Sequence, residues 1–144
     1  MNKEKIITLK FPFEPKAKQS FKYAKNGIKY QSKDVVMFEN NMKAVTISQL
    51  SKNFKVIKSP VHITYRFYYE FPKRTPKRIV NSNNVCYKYT RPDIDNLQKA
   101  VNDALKNTVI CDDSIIVSTE AIKLYSEQSS IEVDIEIIDN TNYF

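Results

Sequence analysis

The sequence predicts an α+β domain in which two main helices pack on a small mixed β-sheet. Residues 61–71 alternate apolar and polar side chains with the period of two that is typical of a half-buried strand. Residues 32–51 and 93–106 instead space their apolar side chains three and four apart, as amphipathic helices do. The resulting order of strands and helices favours helices packed on a mixed sheet.

Local signals support the individual elements. Ser32 is a suitable N-cap for the first helix, and the dipeptide Asn26-Gly27 marks a turn. In chain order, the predicted elements are a strand at 6–11, a loop or irregular hairpin at 12–31, a helix at 32–51, a strand at 61–71, a long basic loop at 72–90, a helix at 93–106, strands at 114–125 and 131–138, and a frayed tail at 139–144.

The length of 144 residues predicts one domain spanning 1–144, large enough to bury a core. No apolar run approaches the roughly 20 residues of a membrane span, so no membrane association is expected. The apolar stretch 6–10 is too short for a signal peptide, which predicts a cytoplasmic protein. Cys86 and Cys111 have no second Cys or His at zinc-ligand spacing and are expected to be free thiols.

The net charge of +7 is unevenly distributed along the chain. Residues 1–92 hold 20 Lys and Arg against 5 Asp and Glu, whereas residues 93–144 hold 3 against 11. A basic first part attracts a polyanion such as DNA. The acidic second part would repel DNA unless bound divalent cations neutralised it, or unless the two parts neutralise each other in the fold.

The rarest residues exclude several mechanisms. Gly27 is the only glycine, which excludes a Gly-rich phosphate loop, and no nucleotide cofactor is expected. His62 is the only histidine and falls on the polar face of the predicted strand. A Ser–His or Cys–His mechanism therefore has no obvious partners, although a ligand or base role for His62 stays open.

Two basic segments, 12–31 and 72–90, are the predicted DNA contacts. Both interleave Lys or Arg with aromatic or Asn residues, and loops as long as 72–90 are usually functional or disordered. The predicted contact residues are Lys16, Lys18, Lys22, Lys25, Lys29, Lys73, Arg74, Lys77 and Arg78.

Two pairs of aspartates lie at the two ends of the 21 residues 93–113, namely Asp93 with Asp95 and Asp112 with Asp113. Each has an ordinary explanation by itself. The first two suit a helix start, where free N–H groups and the helix dipole favour carboxylates, and the last two suit a turn. Lys99, four residues after Asp95, suits a helical ion pair.

Together these aspartates predict a Mg²⁺ site, with Mn²⁺ left open. Hard carboxylate oxygens are the protein ligands that Mg²⁺ prefers. A pair of such ions about 3.5–4 Å apart can activate a water molecule and stabilise the leaving oxygen of a phosphodiester. This chemistry needs no histidine, cysteine or glycine loop. It also requires the helix start and the following strand start to lie side by side.

The same residues carry a resemblance to a known family. Residues 91–105 read RPDIDNLQKAVNDAL and precede Asp112-Asp113-Ser114. This pattern resembles the RusA endonucleases, Holliday junction resolvases of bacteria, prophages and phages, which share D-x-D-N-L-x-K at a helix start and a D-D pair before a strand. A looser likeness covers the start of the chain, where the family usually has an arginine-containing stretch and this chain reads Lys18-Gln19-Ser20-Phe21-Lys22.

The resemblance implies a homodimeric, metal-dependent crossover junction endodeoxyribonuclease that nicks opposed strands of a four-way junction in recombination and repair. It implies that Asp93, Asp95 and Asp113 bind the metal, that Asp112 supports them and that Lys99 is an active-site lysine. Asp103 fits the motif, but we expect it to cap or pair structurally.

Three alternatives remain at the level of the sequence. A less selective nuclease acting on flaps or forks would use the same chemistry. A non-catalytic DNA-binding accessory protein would be expected to have lost one of the motif carboxylates, and none is lost here. An RNA-binding module would require stacking aromatics in a recognisable motif, for which Tyr87 and Tyr89 are a slender basis.

Overall fold

The computed structural model of the protein describes residues 3–17 and 22–138. The predicted tail at 139–144 lies outside these residues. The elements are β1 (Lys3–Phe11), β2 (Lys22–Tyr23), β3 (Lys29–Tyr30), α1 (Lys33–Ser48), β4 (Val61–Glu70), α2 (Lys77–Val80), α3 (Ile94–Leu105), a 3₁₀ turn (Asp113–Ile115), β5 (Ile116–Ser126) and β6 (Ser130–Ile138). The predicted α+β class with a mixed sheet is confirmed.

The main sheet has four strands in the order β1-β6-β4-β5. β6 is antiparallel to both β1 and β4, whereas β4 and β5 are parallel. Because β4 and β5 are parallel, the chain must return to the start of β5 through a crossover that contains α3. The helix therefore runs opposite to the two strands, and its two ends lie near opposite ends of β5.

One face of the sheet and the two long helices form the core. Alternate residues of β4 are buried on this face, among them Ile63, Tyr65 and Phe67. The buried residues that pack with them include Leu9 and Phe11 of β1, Met42 of α1, Leu97, Val101 and Leu105 of α3, and Ile131, Val133 and Ile135 of β6.

Side-chain hydrogen bonds hold both ends of α1. The Ser32 hydroxyl accepts a hydrogen bond of 3.4 Å from the Val35 N–H, which confirms the predicted cap. At the other end, the Gln49 side chain pairs with the backbone of Lys10, accepting from its N–H and donating to its carbonyl, both at 2.9 Å. The helix is thereby tied to the end of β1.

Three details differ from the predicted elements. The loop 72–90 contains the short helix α2, and residues 113–115 form a 3₁₀ turn before β5 begins. His62 has polar neighbours, as its predicted face implies, but it is only 3% exposed. Its Nδ1 lies 2.8 Å from the Ser118 hydroxyl and its Nε2 lies 3.3 Å from the Thr64 hydroxyl, so the ring is part of the sheet packing.

None of the helices in the described ranges has the length and apolar character needed to cross a bilayer.

Candidate functional site

The first acidic pair lies at the start of α3. Asp93 is the N-cap residue, and its backbone carbonyl accepts the first helical hydrogen bond from Leu97 at 3.2 Å. Its side chain makes no capping hydrogen bond. Asp95 follows in the first turn, and both residues are exposed. Capping therefore does not account for the Asp93 carboxylate, which is available to a ligand.

Lys99 lies one helical turn after Asp95 and is exposed. Among the ion pairs formed within residues 3–17 and 22–138, none joins Asp95 to Lys99. The simple helical ion pair is thus not formed. Lys99 is therefore an exposed cation on the same side of α3 as Asp95.

A lysine of β5 anchors the start of α3. The Lys123 Nζ donates hydrogen bonds of 2.6 Å to the Thr90 carbonyl and 2.7 Å to the Pro92 carbonyl. Lys123 pairs with Phe67 in the sheet register and so lies on the same face as the helices. This anchor was missed from the sequence, where Lys123 reads as an ordinary residue of an alternating strand.

The second acidic pair precedes β5, and its two members differ. The Asp112 carboxylate accepts a hydrogen bond of 3.1 Å from the Ser114 N–H and lies 3.3 Å from the Lys106 Nζ. Hydrogen bonds from Ser114 and the adjacent Lys106 ammonium lower the pKa of Asp112 to about 2. Asp112 therefore has local structural partners, whereas Asp113 is exposed.

A buried tyrosine relates Asp113 to the far half of α3. The Tyr65 hydroxyl donates a hydrogen bond of 2.5 Å to the Asn102 side-chain oxygen. Burial raises the pKa of Tyr65, and the negative charge of Asp113 raises it further. Asp113 directly follows Asp112, which pairs with the C-cap residue Lys106, so it lies near the end of α3 that is remote from Asp93.

The two acidic pairs consequently lie at opposite ends of α3. The 12 residues of the helix span about 18 Å. Along β5, Lys123, which anchors Pro92, lies seven residues beyond Ile116, a distance of about 23 Å in an extended strand. Within the described ranges, no three His, Cys, Asp or Glu side chains are grouped so that they could hold a metal ion. The expected juxtaposition of a helix start and a strand start is therefore not made within one protomer.

The predicted DNA contacts that the structure describes occupy three surface regions. Lys16 lines a groove beside the start of α3, together with Arg91, which is not among the predicted contacts, and with the carboxylates of Glu14, Asp34 and Glu39. Lys25 and Lys29 are exposed in the β2–β3 hairpin. Lys73, Arg74, Lys77 and Arg78 are exposed on the segment around α2. Lys18 and the side chain of Lys22 lie outside the described residues. Asp103 is half-buried and, with Lys43, lines a groove between α1 and α3.

Exposed carboxylates at the start of α3, on a protein that also has exposed lysines and arginines around α2, suit a protein that acts on nucleic-acid phosphodiesters. Residues 12–136 match the family described as Endodeoxyribonuclease RusA. The match extends over most of the chain and includes both acidic pairs. The protein therefore belongs to the RusA endodeoxyribonuclease family, as the motif at 91–105 predicts.

One similar protein comes from Bacillus subtilis strain 168 and is named "Uncharacterized protein YqaN". It is 33% identical over 82 residues, which cover 54% of this chain and 58% of that protein. The likeness thus spans less than two thirds of the relative, whose name states no activity.

Proposed function

We propose that the protein is a Mg²⁺-dependent endonuclease that resolves Holliday junctions and related branched DNA. It would hydrolyse one phosphodiester in each of two opposed strands during recombination or repair. The observation that carries this proposal is the pair of exposed carboxylates at the start of α3, one of them an N-cap residue whose side chain does not cap. Membership of the RusA family and the exposed lysines and arginines around α2 support it.

In this proposal the residues at the start of α3 have distinct roles. Asp93 and Asp95 hold the metal, and the positive end of the helix dipole reduces the repulsion between their charges. Bound Mg²⁺ would supply a water molecule of lowered pKa and neutralise charge on the phosphate. The Lys99 ammonium, one turn further along, stabilises negative charge on the scissile phosphate. Lys16 and Arg91 contact the phosphate backbone beside it.

The partner subunit would complete the metal site. Asp93 and Asp95 alone are two carboxylates, and Asp113 of the same chain lies at the far end of α3. A C₂ homodimer is self-complementary, so residue i of one chain can contact residue j of the other in two equivalent places. We therefore place the partner's Asp113 beside Asp93 and Asp95. Two such composite sites would match the two strands that must be cut in a four-way junction.

Cleavage of a labelled four-way junction tests the activity. The wild-type protein should nick two opposed strands with Mg²⁺ and should be inactive with EDTA. Asp95→Asn should cut at least about a hundredfold more slowly, because one strong electrostatic contributor to the transition state is lost. It should still bind the junction, since a negative charge facing the phosphates has been removed. Asp103→Asn, on the same helix but facing the groove with Lys43, is the matched control and should cut normally.

Near-wild-type cutting by a folded Asp95→Asn protein would remove Asp95 from the site. Flap, fork and linear duplex substrates belong in the same assay, together with Mn²⁺ in place of Mg²⁺. Equal cutting of flaps and junctions would favour the less selective nuclease over a resolvase. Tight junction binding without any cleavage would favour a non-catalytic accessory protein.

Mixing two inactive variants tests the composite site. In a heterodimer of Asp95→Asn and Asp113→Asn subunits, one composite site carries both substitutions and the other carries neither. Mixing the two proteins under conditions that exchange subunits should therefore restore single-strand nicking. If each site were formed within one chain, both sites of the heterodimer would carry one substitution and the mixture would stay inactive. That result would contradict the composite arrangement while leaving the proposed activity intact.

A further inference from the structure

The segment just before Pro92 has the reverse of the usual strand pattern. Val85, Tyr87 and Tyr89 are 61%, 60% and 93% exposed, whereas Cys86 and Lys88 between them are half-buried. A strand at a sheet edge normally turns its apolar side chains inward and its lysines outward. Here large apolar side chains face solvent and a lysine is turned in. We call the two exposed tyrosines, Tyr87 and Tyr89, together with the adjacent Val85, the aromatic ridge.

The ridge is held firmly against the sheet. Tyr87 forms an antiparallel bridge with Leu124 on the outer edge of β5. The Lys88 N–H donates to the Lys123 carbonyl at 3.0 Å, and the Tyr125 N–H donates to the Cys86 carbonyl at 2.8 Å. These bonds fix the backbone, so the outward direction of the ridge is a property of the fold.

The inward lysine adds to this anchoring. The Lys88 Nζ lies 4.9 Å from the centroid of the Tyr69 ring and donates a hydrogen bond of 2.7 Å to the Thr90 hydroxyl. A cation over an aromatic face is itself stabilising. The exposed rings are therefore presented on a rigid support, which lowers the entropy cost of binding a flat ligand to them.

The surroundings of the ridge indicate its ligand. Residues 72–92 contain six Lys and Arg and no Asp or Glu. Tyr89 stands four residues before Asp93 in the sequence, beside the exposed Arg91. A flat apolar surface within a cationic segment is complementary to a nucleic-acid base attached to its phosphate backbone.

We infer that the aromatic ridge stacks against an unpaired base at the branch point of the DNA, with Tyr89 as the principal contact. This inference rests on the proposed function. In an intact duplex both faces of each base are covered by its neighbours, so the ridge has no face to bind. At a branch point the base stack is interrupted, and a protruding aromatic side chain can bind or hold open that interruption. The ridge would thus favour branched over linear DNA.

The test uses a four-way junction with 2-aminopurine at the branch point, with EDTA present so that no strand is cut. Stacking on a tyrosine should change the fluorescence of this base when the wild-type protein binds. Tyr89→Ala and Tyr89→Leu should lose that change and bind the junction about tenfold more weakly. Tyr89→Phe keeps the ring and should retain both properties. All four proteins should bind linear duplex equally, and their melting temperatures should agree because the side chain is 93% exposed.

Two results would overturn the inference. One is wild-type fluorescence and affinity in Tyr89→Ala. The other is a monomeric Tyr89→Ala protein in light scattering, which would make the ridge a contact between subunits. A wild-type protein that binds the junction no better than duplex would contradict the proposed function itself, and the ridge with it.

Discussion

Two adjacent aspartates, Asp112 and Asp113, differ in their local partners and therefore in the roles we expect for them. Asp112 accepts a hydrogen bond from Ser114 and pairs with Lys106, whereas Asp113 is exposed. A carboxylate that already has a cation and an N–H donor is less available to a metal ion. The different partners of Asp112 and Asp113 agree with the supporting and metal-binding roles that the family resemblance implies for them.

This difference predicts unequal effects of two matched substitutions. Asp113→Asn should reduce junction cleavage at least about a hundredfold, as expected for loss of a residue that stabilises the transition state directly. Asp112→Asn should reduce it by less than about tenfold, because the asparagine oxygen can still accept from Ser114. Initial rates at saturating Mg²⁺ compare the two variants. Equal losses would mean that both carboxylates bind the metal.

The buried Tyr65 hydroxyl gives a prediction for stability. Tyr65→Phe removes its hydrogen bond to the half-buried Asn102 side chain and should cost about 1 kcal/mol in the free energy of unfolding at pH 7. Burial raises the pKa of Tyr65 in the folded protein, so its stabilising contribution is full below the unfolded-state pKa. Above pH of about 10 that contribution falls by about 1.4 kcal/mol per pH unit.

Urea unfolding at pH 7 and pH 10.5 measures this effect. Tyr65→Phe has no hydroxyl to ionise, so its deficit relative to wild type should shrink at the higher pH. Tyr69, whose pKa is also raised by burial, is present in both proteins and does not affect the comparison. A deficit that is the same at both pH values would show that the Tyr65 hydroxyl ionises as easily in the folded as in the unfolded chain.

At the scale of elements, α3 depends on the strand beside it. Lys123 of β5 donates to the Thr90 and Pro92 carbonyls, which immediately precede the helix. These carbonyls have no partner within the helix, so the lysine fixes the direction in which α3 begins. The position of Asp93 therefore depends on a residue 30 positions later in the chain.

Lys123→Met should show this dependence. The variant keeps most of the apolar stem but loses two charge-assisted hydrogen bonds, at a cost of about 2 kcal/mol in the free energy of unfolding. Junction cleavage should fall, because Asp93 and Asp95 are less well oriented. Lys106→Met removes a lysine at the other end of the helix, beside Asp112, and is the control for hydrogen exchange only. Hydrogen exchange of the Leu97 amide should accelerate only in Lys123→Met, and unchanged exchange there would contradict the anchoring role.

The elements themselves were largely predictable from periodicity. The alternation at 61–71, the stripe of 93–106 and the cap at Ser32 correspond closely to β4, α3 and the start of α1. These signals are local, since they depend on which face of a segment is buried. The family, too, could be recognised from the local motif at 91–105.

Strand order was not predictable, and the separation of the two acidic pairs within one chain follows from it. The parallel pairing of β4 with β5 reverses α3 relative to both strands and separates Asp93 from Asp113. No local pattern encodes that pairing. The inward direction of Lys88 and Lys123 was missed for the same reason, because it depends on sheet register. The roles of the aspartates remain predictions that the proposed assays test.

At the scale of the whole molecule, the basic loop can be tested by salt dependence. Replacing Lys73, Arg74, Lys77 and Arg78 together by Ala should leave the fold intact, since all four side chains are exposed. Each phosphate contact that is lost should remove about 0.9 from the slope of log affinity against log salt. Titration of a junction at several salt concentrations gives that slope. An unchanged slope would indicate that the DNA contacts lie instead at Lys16, Lys25 and Lys29.

The oligomeric state is a second property of the whole molecule. A homodimer should give about twice the chain mass of 16.8 kDa in light scattering at micromolar concentration. A strict monomer, with and without junction DNA, would contradict both the composite site and the paired cleavage. Cross-linking of Asp113→Cys to Asp95→Cys between chains would locate the interface.

The separation of the two acidic pairs along α3 also affects the conditions under which the protein can cut DNA in the cell. If each site requires one pair from either subunit, a single chain released from the ribosome is a latent nuclease that damages no DNA. The activity per chain would then rise steeply with protein concentration and reach a plateau once every subunit is paired. Abundance and subunit affinity would together set the threshold at which cutting begins. The separation of the two acidic pairs by α3 would therefore prevent cleavage by unpaired subunits.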